Sequence, residues 1–175
     1  QQYPDAVFYH ANQKNLRAIA RHCQTTAVDA HTLLVDGTEF LSQYHHIRRF
    51  NHLSTIFNRK LAMEADFYGF DSLNADFTSI MRLCPLGKML QSDLMVGCWN
   101  LNAESASMSF IKPQQHANNL KAIDGLVDWL GKYLTEVQCA SIRKSLYSVQ
   151  QYYFNQAMVL FTDRGTAHRH LLSIA

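Results

Sequence analysis

The sequence predicts an all-α fold, an antiparallel helical bundle of four long helices with additional short helices. Three observations favour it. The 175 residues include only seven glycines and three prolines, so few positions force the chain to turn sharply. Apolar residues recur at helical spacing over several long segments. No internal repeat or low-complexity tract divides the chain, which predicts one helical domain over residues 1–175.

Composition and charge exclude several classes of protein. The chain is 47% apolar and 17% charged, which is typical of a globular domain and excludes a disordered tail. A formal net charge of +2 is too small to indicate a partner. No apolar run approaches the roughly 18 residues that a membrane span needs. Because the chain starts at Gln1 and ends on an apolar stretch, we expect a domain excised from a longer protein.

The first predicted helix covers residues 5–35, which contain no glycine or proline. Asp36-Gly37 would end it, because glycine takes a left-handed conformation at low cost just past a helix end. Alternatively, this dipeptide closes a β-hairpin between residues 32–35 and 38–41. We prefer the helical turn because helical spacing continues on both sides. The apolar face of this helix would carry Phe8, Leu16, Ile19, Cys23, Ala30 and Leu34.

The second predicted helix runs from Thr38, as its N-cap, to about Phe67 and would pack antiparallel to the first. A shorter helix around residues 73–81 would end before Pro85. Residues 94–111 are the least helical part, and a small β-hairpin or an ordered loop both fit them.

Two further long helices are predicted in the C-terminal part. Pro113 suits the first position of a helix that continues through Leu134. The last long helix runs from about Cys139 to Phe161, and Asp163-Arg164-Gly165 would break it.

The second predicted helix carries the most informative surface. No acidic residue occurs in the 24 residues between Glu39 and Glu64. Such a basic stripe could bind the phosphates of a nucleic acid or another anionic partner. The competing interpretation is a solvated helix face that acids elsewhere neutralise. On a helical wheel the stripe spans about 120° opposite the apolar face, and its members are His45, Arg48, Arg49, His52, Arg59 and Lys60.

The spacing of histidines and cysteines does not predict a metal site. No histidine pair has the i,i+3 or i,i+4 separation that places two ligands on one helix. A site assembled from His10, His168 and His170 is the one composite option. Four scattered cysteines without a Cys-x-x-Cys pair favour buried free thiols, and with them a cytoplasmic location.

The string CPLGKM at residues 84–89 resembles the Cys-x-Leu-Gly core of chemoreceptor zinc-binding domains. That family adds three histidine ligands. The positions nearest in spacing hold Asn58, Gln114 and Asn118, which are poor substitutes for imidazole. We therefore predict no metal site and no cofactor.

Arg164 and His170, with five residues between them, resemble the Arg-x(4–6)-His motif of HEPN ribonucleases, which are all-helical domains. The resemblance implies RNA cleavage with Arg164 and His170 as the catalytic residues. No hydrolase elbow, phosphate-binding loop or His-Glu-x-x-His motif is present in the sequence.

The sequence thus favours a non-enzymatic signalling or regulatory domain, a sensor or an adaptor, that binds a ligand or a partner. The partner would be another protein, other domains of the same chain or a second copy in a homodimer. A domain that binds nucleic acid or another anionic partner through the basic stripe is the alternative, and a HEPN-like ribonuclease is the second alternative.

Overall fold

The computed structural model describes residues 6–11, 16–47, 54–69, 75–97 and 113–163. These residues form a five-stranded mixed sheet packed with helices, so the all-α prediction is wrong. The strands are β1 (Ala6–His10), β2 (Thr25–Asp29), β3 (Thr32–Asp36), β4 (Thr55–Phe57) and β5 (Lys88–Ser92). The helices are α1 (Leu16–His22), α2 (Gly37–Ser42), α3 (Tyr44–Ile47), α4 (Arg59–Glu64), α5 (Ala75–Leu83), α6 (Pro113–Leu130) and α7 (Glu136–Asp163).

The sheet has the strand order β2-β3-β5-β1-β4. Strands β1 and β5 are parallel, whereas the other neighbouring pairs are antiparallel. In register, Met89 of β5 lies between Phe8 of β1 and Val35 of β3, and all three side chains are buried. The core therefore forms where this row of the sheet meets buried helical residues such as Phe40, Ile80, Leu126 and Leu146.

The long helix predicted over residues 5–35 is replaced by β1, α1 and the β2–β3 hairpin. Threonine and valine are frequent in both hairpin strands, and β-branched side chains fit a pleated strand better than a helix. Strand β3 also pairs with β5, which lies more than 50 residues further along the chain, and this pairing stabilises the strand conformation. Helical spacing of a few apolar residues was the weaker signal here.

Both interpretations of Asp36-Gly37 are wrong. The hairpin turns at Ala30-His31, and Asp36 is the N-cap of α2, where its Oδ1 accepts the Glu39 N–H at 2.9 Å. A Cβ on Gly37 would lie 2.0 Å from the carbonyl oxygen of Cys84. Glycine is required here by the close approach of two backbones.

The second predicted long helix is also wrong. Its described residues form α2, α3, the edge strand β4 and α4. Strand β4 pairs with β1, with Ile56 opposite Tyr9, and Asn58 caps α4 through its side-chain oxygen. Isoleucine and phenylalanine in β4 favour a strand. Its partner β1 lies more than 40 residues away in the chain, so a local sequence pattern does not reveal the pairing.

The helices of the second half are predicted correctly. Helix α5 lies within the shorter predicted segment, and Pro113 is the first residue of α6. Helix α6 ends at Leu130, earlier than predicted, because Gly131 follows it. Helix α7 begins at Glu136, three residues before the predicted start at Cys139. Residues 94–97 lie in neither helix nor strand, and the remainder of the 94–111 segment lies outside the described residues. None of the helices described is both long and apolar enough to span a membrane.

Candidate functional site

Buried polar residues concentrate at one end of the sheet. Of the nine buried polar or charged residues in the described part of the chain, five lie where β1 and β5 end. In open α/β sheets, ligands bind outside the carboxyl ends of the parallel strands. We name this region the carboxyl edge. It comprises the buried residues His10, Thr32, Ser54, Gln91 and Ser92 with the exposed pair His31 and Asp93.

His10 and Gln91 form the buried centre of the carboxyl edge. They face each other in register on β1 and β5, and His10 Nδ1 lies 2.9 Å from Gln91 Oε1. Because an amide oxygen only accepts, Nδ1 carries the proton. Burial lowers the pKa of His10, and the hydrogen bond to Gln91 opposes this effect. His10 is therefore neutral at pH 7 and presents a fixed ring.

A second polar pair continues the carboxyl edge towards the β2–β3 hairpin. Thr32 Oγ1 donates to Ser92 Oγ at 3.4 Å, and Ser92 Oγ accepts the Leu94 N–H at 3.3 Å. Thr32 and Ser92 are partners in the β3–β5 ladder. The end of β5 is thus connected to the start of β3 through side chains as well as through the ladder.

His31 and Asp93 are the exposed members. His31 Nδ1 lies 2.9 Å from Asp93 Oδ1, and their side chains are 59% and 45% exposed. The backbone supports this geometry, because Asp93 N–H donates to the His31 carbonyl and His31 N–H donates to Asp29 Oδ1. A carboxylate only accepts hydrogen bonds, so Nδ1 carries a proton towards Asp93, and the rest of the ring belongs to a side chain that is more than half exposed.

Three consecutive apolar residues border these polar groups. Leu94, Met95 and Val96 follow Asp93 just after the end of β5, and they are 45%, 77% and 61% exposed. Consecutive apolar residues on a surface are typical of a binding site. The carboxyl edge therefore offers a fixed polar centre, an exposed imidazole–carboxylate pair and an apolar border, a combination that fits a small molecule with a polar and an apolar part.

The structure separates the described members of the predicted basic stripe. His45 lies on the short helix α3, where its backbone N–H and its Nδ1 both lie 3.0 Å from Ser145 Oγ on α7. Arg59 and Lys60 begin α4, on the other side of strand β4. Lys60 Nζ lies 3.9 Å from Glu64 Oε1, one turn away on the same helix. The single helix that would align them is absent, so anion binding by these residues stays a prediction without that support.

His45 belongs instead to a cluster of imidazoles. The His22 and His46 rings are stacked with centroids 3.9 Å apart, and the His45 and His46 centroids are also 3.9 Å apart. Desolvation, followed by the neighbouring His46 and Arg21, lowers the pKa of His22. A proton on His22 would place a positive charge beside Arg21 and against the His46 ring, which agrees with the direction of this pKa change.

The other predicted site residues lie outside the described residues: Arg48, Arg49, His52, Arg164 and His170, together with His168 of the composite metal option. The resemblance to HEPN ribonucleases implies an all-helical domain, whereas this chain contains a five-stranded sheet. Its proposed residues therefore stay a prediction without the fold that the resemblance requires.

The described residues contain no group of three or more histidine, cysteine or acidic side chains arranged to hold a metal ion. The three described cysteines, Cys23, Cys84 and Cys139, are free thiols. Burial raises the pKa of Cys23 to about 12, with contributions from Glu39 and Asp36, and burial raises that of Cys84 as well. Both of these thiols are protonated and unreactive at neutral pH.

Sequence reasoning did not single out His31, Gln91, Ser92 and Asp93 as members of a candidate site. Their common feature is a position at a strand end, which becomes visible only once the strand order is known. The threonines at residues 25, 26 and 32 gave a usable signal for the hairpin strands, but no local signal reports which strand lies beside which.

A search against family models, curated proteins and solved structures finds no match for this chain.

Proposed function

We propose that this protein is a non-enzymatic regulatory domain of the sensor type that binds a small molecule at the carboxyl edge. The observation that carries the proposal is the concentration of five of the nine buried polar residues at the ends of β1 and β5. Burying a polar group has a free-energy cost. Binding sites commonly accept this cost, because a buried polar side chain can orient a ligand or hold a side chain that contacts the ligand.

The ligand class follows from the available groups. The His31 ring offers a hydrogen-bonding nitrogen, the Asp93 carboxylate accepts further donors, and Leu94 and Met95 provide apolar contact. A small molecule with a hydrogen-bonding head and an apolar part satisfies all three. A fully hydrophilic ligand would leave the apolar border exposed.

Regulation would act through the hydrogen bonds that join the β2–β3 hairpin to the end of β5. Asp93 holds the hairpin turn through the His31 ring and backbone, and Ser92 holds the start of β3. A ligand that competes with the hydrogen bond between His31 and Asp93 would change the position of the hairpin turn relative to β5. Such a local rearrangement is sufficient to alter the surface that a partner or a neighbouring domain contacts.

The test is a fragment screen by ligand-observed NMR with variants of the exposed pair. We expect hits that carry a polar head on an apolar ring to bind the wild type. His31→Ala and Asp93→Asn should each lose these hits, because both change exposed groups and leave the buried centre intact. Asp76→Asn, an exposed carboxylate in the first turn of α5, is the matched control and should retain them.

Two outcomes would contradict the proposal. One is the absence of any fragment that His31→Ala and Asp93→Asn release. The other is a set of hits that Asp76→Asn and Asp93→Asn weaken equally, since that would indicate a nonspecific effect of charge.

A further inference from the structure

A groove lies between α6 and α7 on the side of α7 that faces away from the core. Ile142, Leu146 and Val149 are buried and share one face of α7. At 100° per residue, Lys144, Tyr147 and Gln151 occupy the opposite face. The groove has a volume of about 850 Å³, and its lining includes Leu120 of α6 with Ala140, Arg143, Lys144, Tyr147 and Gln151 of α7.

We name this feature the hairpin groove, and the two helices beside it carry opposite charges. Asp124 and Asp128 are one turn apart on α6, and Arg143 and Lys144 are neighbours on α7. Within the chain, Arg143 Nε lies 3.2 Å from Asp124 Oδ1, and Arg143 Nη2 lies 3.2 Å from Asp128 Oδ1. Asp128 is nevertheless 75% exposed, and Lys144 has no ion pair among the described residues. Beyond the ion pairs within the hairpin, α6 and α7 therefore each present an exposed charged side chain beside the groove, Asp128 and Lys144.

The order of these charges makes the surface complementary to itself. A two-fold axis parallel to the helices, within the plane of contact, exchanges the α6 side and the α7 side while preserving height along the helices. The Arg143–Asp128 contact shows that these two residues lie at the same height. Asp128 of one chain would therefore face the Arg143 and Lys144 level of the other chain.

We propose that the hairpin groove is occupied by the same groove of a second copy of this chain. The result is an antiparallel four-helix bundle, in which α6 of each chain packs on α7 of the other. Leu120, Ala140 and the half-buried Tyr147 line the groove and would supply apolar contact between the two copies. Tyr147 is held in place by the hydrogen bond from its hydroxyl to Asp124 Oδ1 at 2.7 Å.

This inference is independent of the proposed ligand site, because the two surfaces share no residue. The choice of a second copy rests on the self-complementary charge order. An acidic partner would meet Asp124 and Asp128, and a basic partner would meet Arg143 and Lys144, so each would face repulsion on one side of the groove.

The test is sedimentation equilibrium of the whole chain with a charge-reversal cycle. We expect the wild type to be a dimer in the micromolar range. Lys144→Asp should raise the dissociation constant at least about tenfold, because it places two carboxylates opposite each other at each of two symmetric contacts. Asp128→Lys should have an effect of the same direction, and the double variant should recover most of the affinity.

Glu64→Lys on α4, distant in sequence and on another element, is the control and should leave the dimer unchanged. Circular dichroism melting of each variant separates weaker association from unfolding, and Lys144→Asp is the cleaner single variant because it removes no ion pair within the described residues. A monomeric wild type would overturn the proposal. The proposal would also be contradicted by a dimer whose dissociation constant is unchanged by Lys144→Asp, or by a double variant that dimerises no more tightly than the single variants.

Discussion

The carboxyl edge and the hairpin groove are built in opposite ways. The side-chain pairs of the carboxyl edge join residues 81, 62 and 60 positions apart in the chain. Those of the groove join consecutive helices over 15 and 23 positions. The centre of the edge is buried, whereas the groove carries partly exposed charges.

The two surfaces therefore obtain their geometry from different parts of the fold. The carboxyl edge depends on correct assembly of the whole sheet, so a change at its centre should affect folding. The groove depends on one helical hairpin, so a change there should affect association and leave folding nearly unchanged. Paired variants test this comparison, with one variant of each pair in the part of the chain that assembles the sheet and the other in the helical hairpin α6–α7.

The largest difference is expected between two glycines. Gly37→Ala places a Cβ 2.0 Å from the Cys84 carbonyl oxygen, and two backbones must separate to admit it. We expect a loss of about 3 kcal/mol in the free energy of unfolding. Gly131→Ala, after α6, brings its Cβ no closer than 3.2 Å to the Asp128 carbonyl and should cost less than about 1 kcal/mol. Urea denaturation of both variants measures this, and equal losses would contradict the comparison.

Two glutamines provide the next contrast. Gln91→Leu removes the acceptor of the buried His10 Nδ1–H, and we expect a destabilisation of about 1–3 kcal/mol. Gln151→Leu in the groove changes an exposed side chain and should stay within about 0.5 kcal/mol. Chemical denaturation at pH 7 compares them, and a Gln91→Leu variant as stable as the wild type would show that the buried pair is dispensable.

Acidification should distinguish the same regions through histidine. The pKa of His10 is lowered from its ordinary value of 6.5, so between that lowered pKa and about 6.5 the unfolded chain binds more protons than the folded one. Stability is therefore fully present above about pH 6.5 and is lost as the pH falls through the folded pKa.

His10→Asn should flatten this dependence, whereas His116→Asn should change it less. The pKa of His116 on α6 is also lowered by desolvation, but its side chain is only half-buried. The measurement is the free energy of unfolding between pH 5 and pH 8. Identical slopes for wild type and His10→Asn would exclude His10 as a source of the pH dependence.

A small effect on stability is also expected from Asp124→Asn on α6, beside the groove. It removes an ion pair that is partly exposed, so the cost should be below about 1 kcal/mol. The hydrogen bond to Asp124 is the main cause of the raised pKa of Tyr147, and this pKa should fall towards its ordinary value. An NMR titration of Tyr147 measures it, with Asp76→Asn as the control. A large loss of stability would show that the groove is coupled to folding.

The sequence allowed the two halves to be predicted with different success. Helices α6 and α7 are long, their apolar spacing is local, and Pro113 marks a start that the structure confirms. The strands are three to five residues long and pair with distant segments, so helical spacing over residues 5–35 outweighed the threonine and valine content. A short segment contains too few residues to distinguish a period of 3.6 from a period of 2.

The candidate site could not be predicted for the same reason. His10 was noticed as a histidine, but Gln91 becomes its partner only because β1 and β5 are adjacent and parallel. His31 and Asp93 meet because the hairpin turn lies beside the end of β5. The single helix predicted to carry the basic stripe is absent, because β4 lies between His45 and Arg59 in the chain, and anion binding by the residues of the stripe stays a prediction.

The central claim, a ligand site at the carboxyl edge, is tested most directly by mapping a fragment hit on the amide NMR spectrum of the wild type. We predict that the largest shift changes occur at residues 91–96 and at His31 and Thr32, with small changes along α6 and α7. Shift changes centred on Lys144 and Tyr147, with residues 91–96 unaffected, would contradict it.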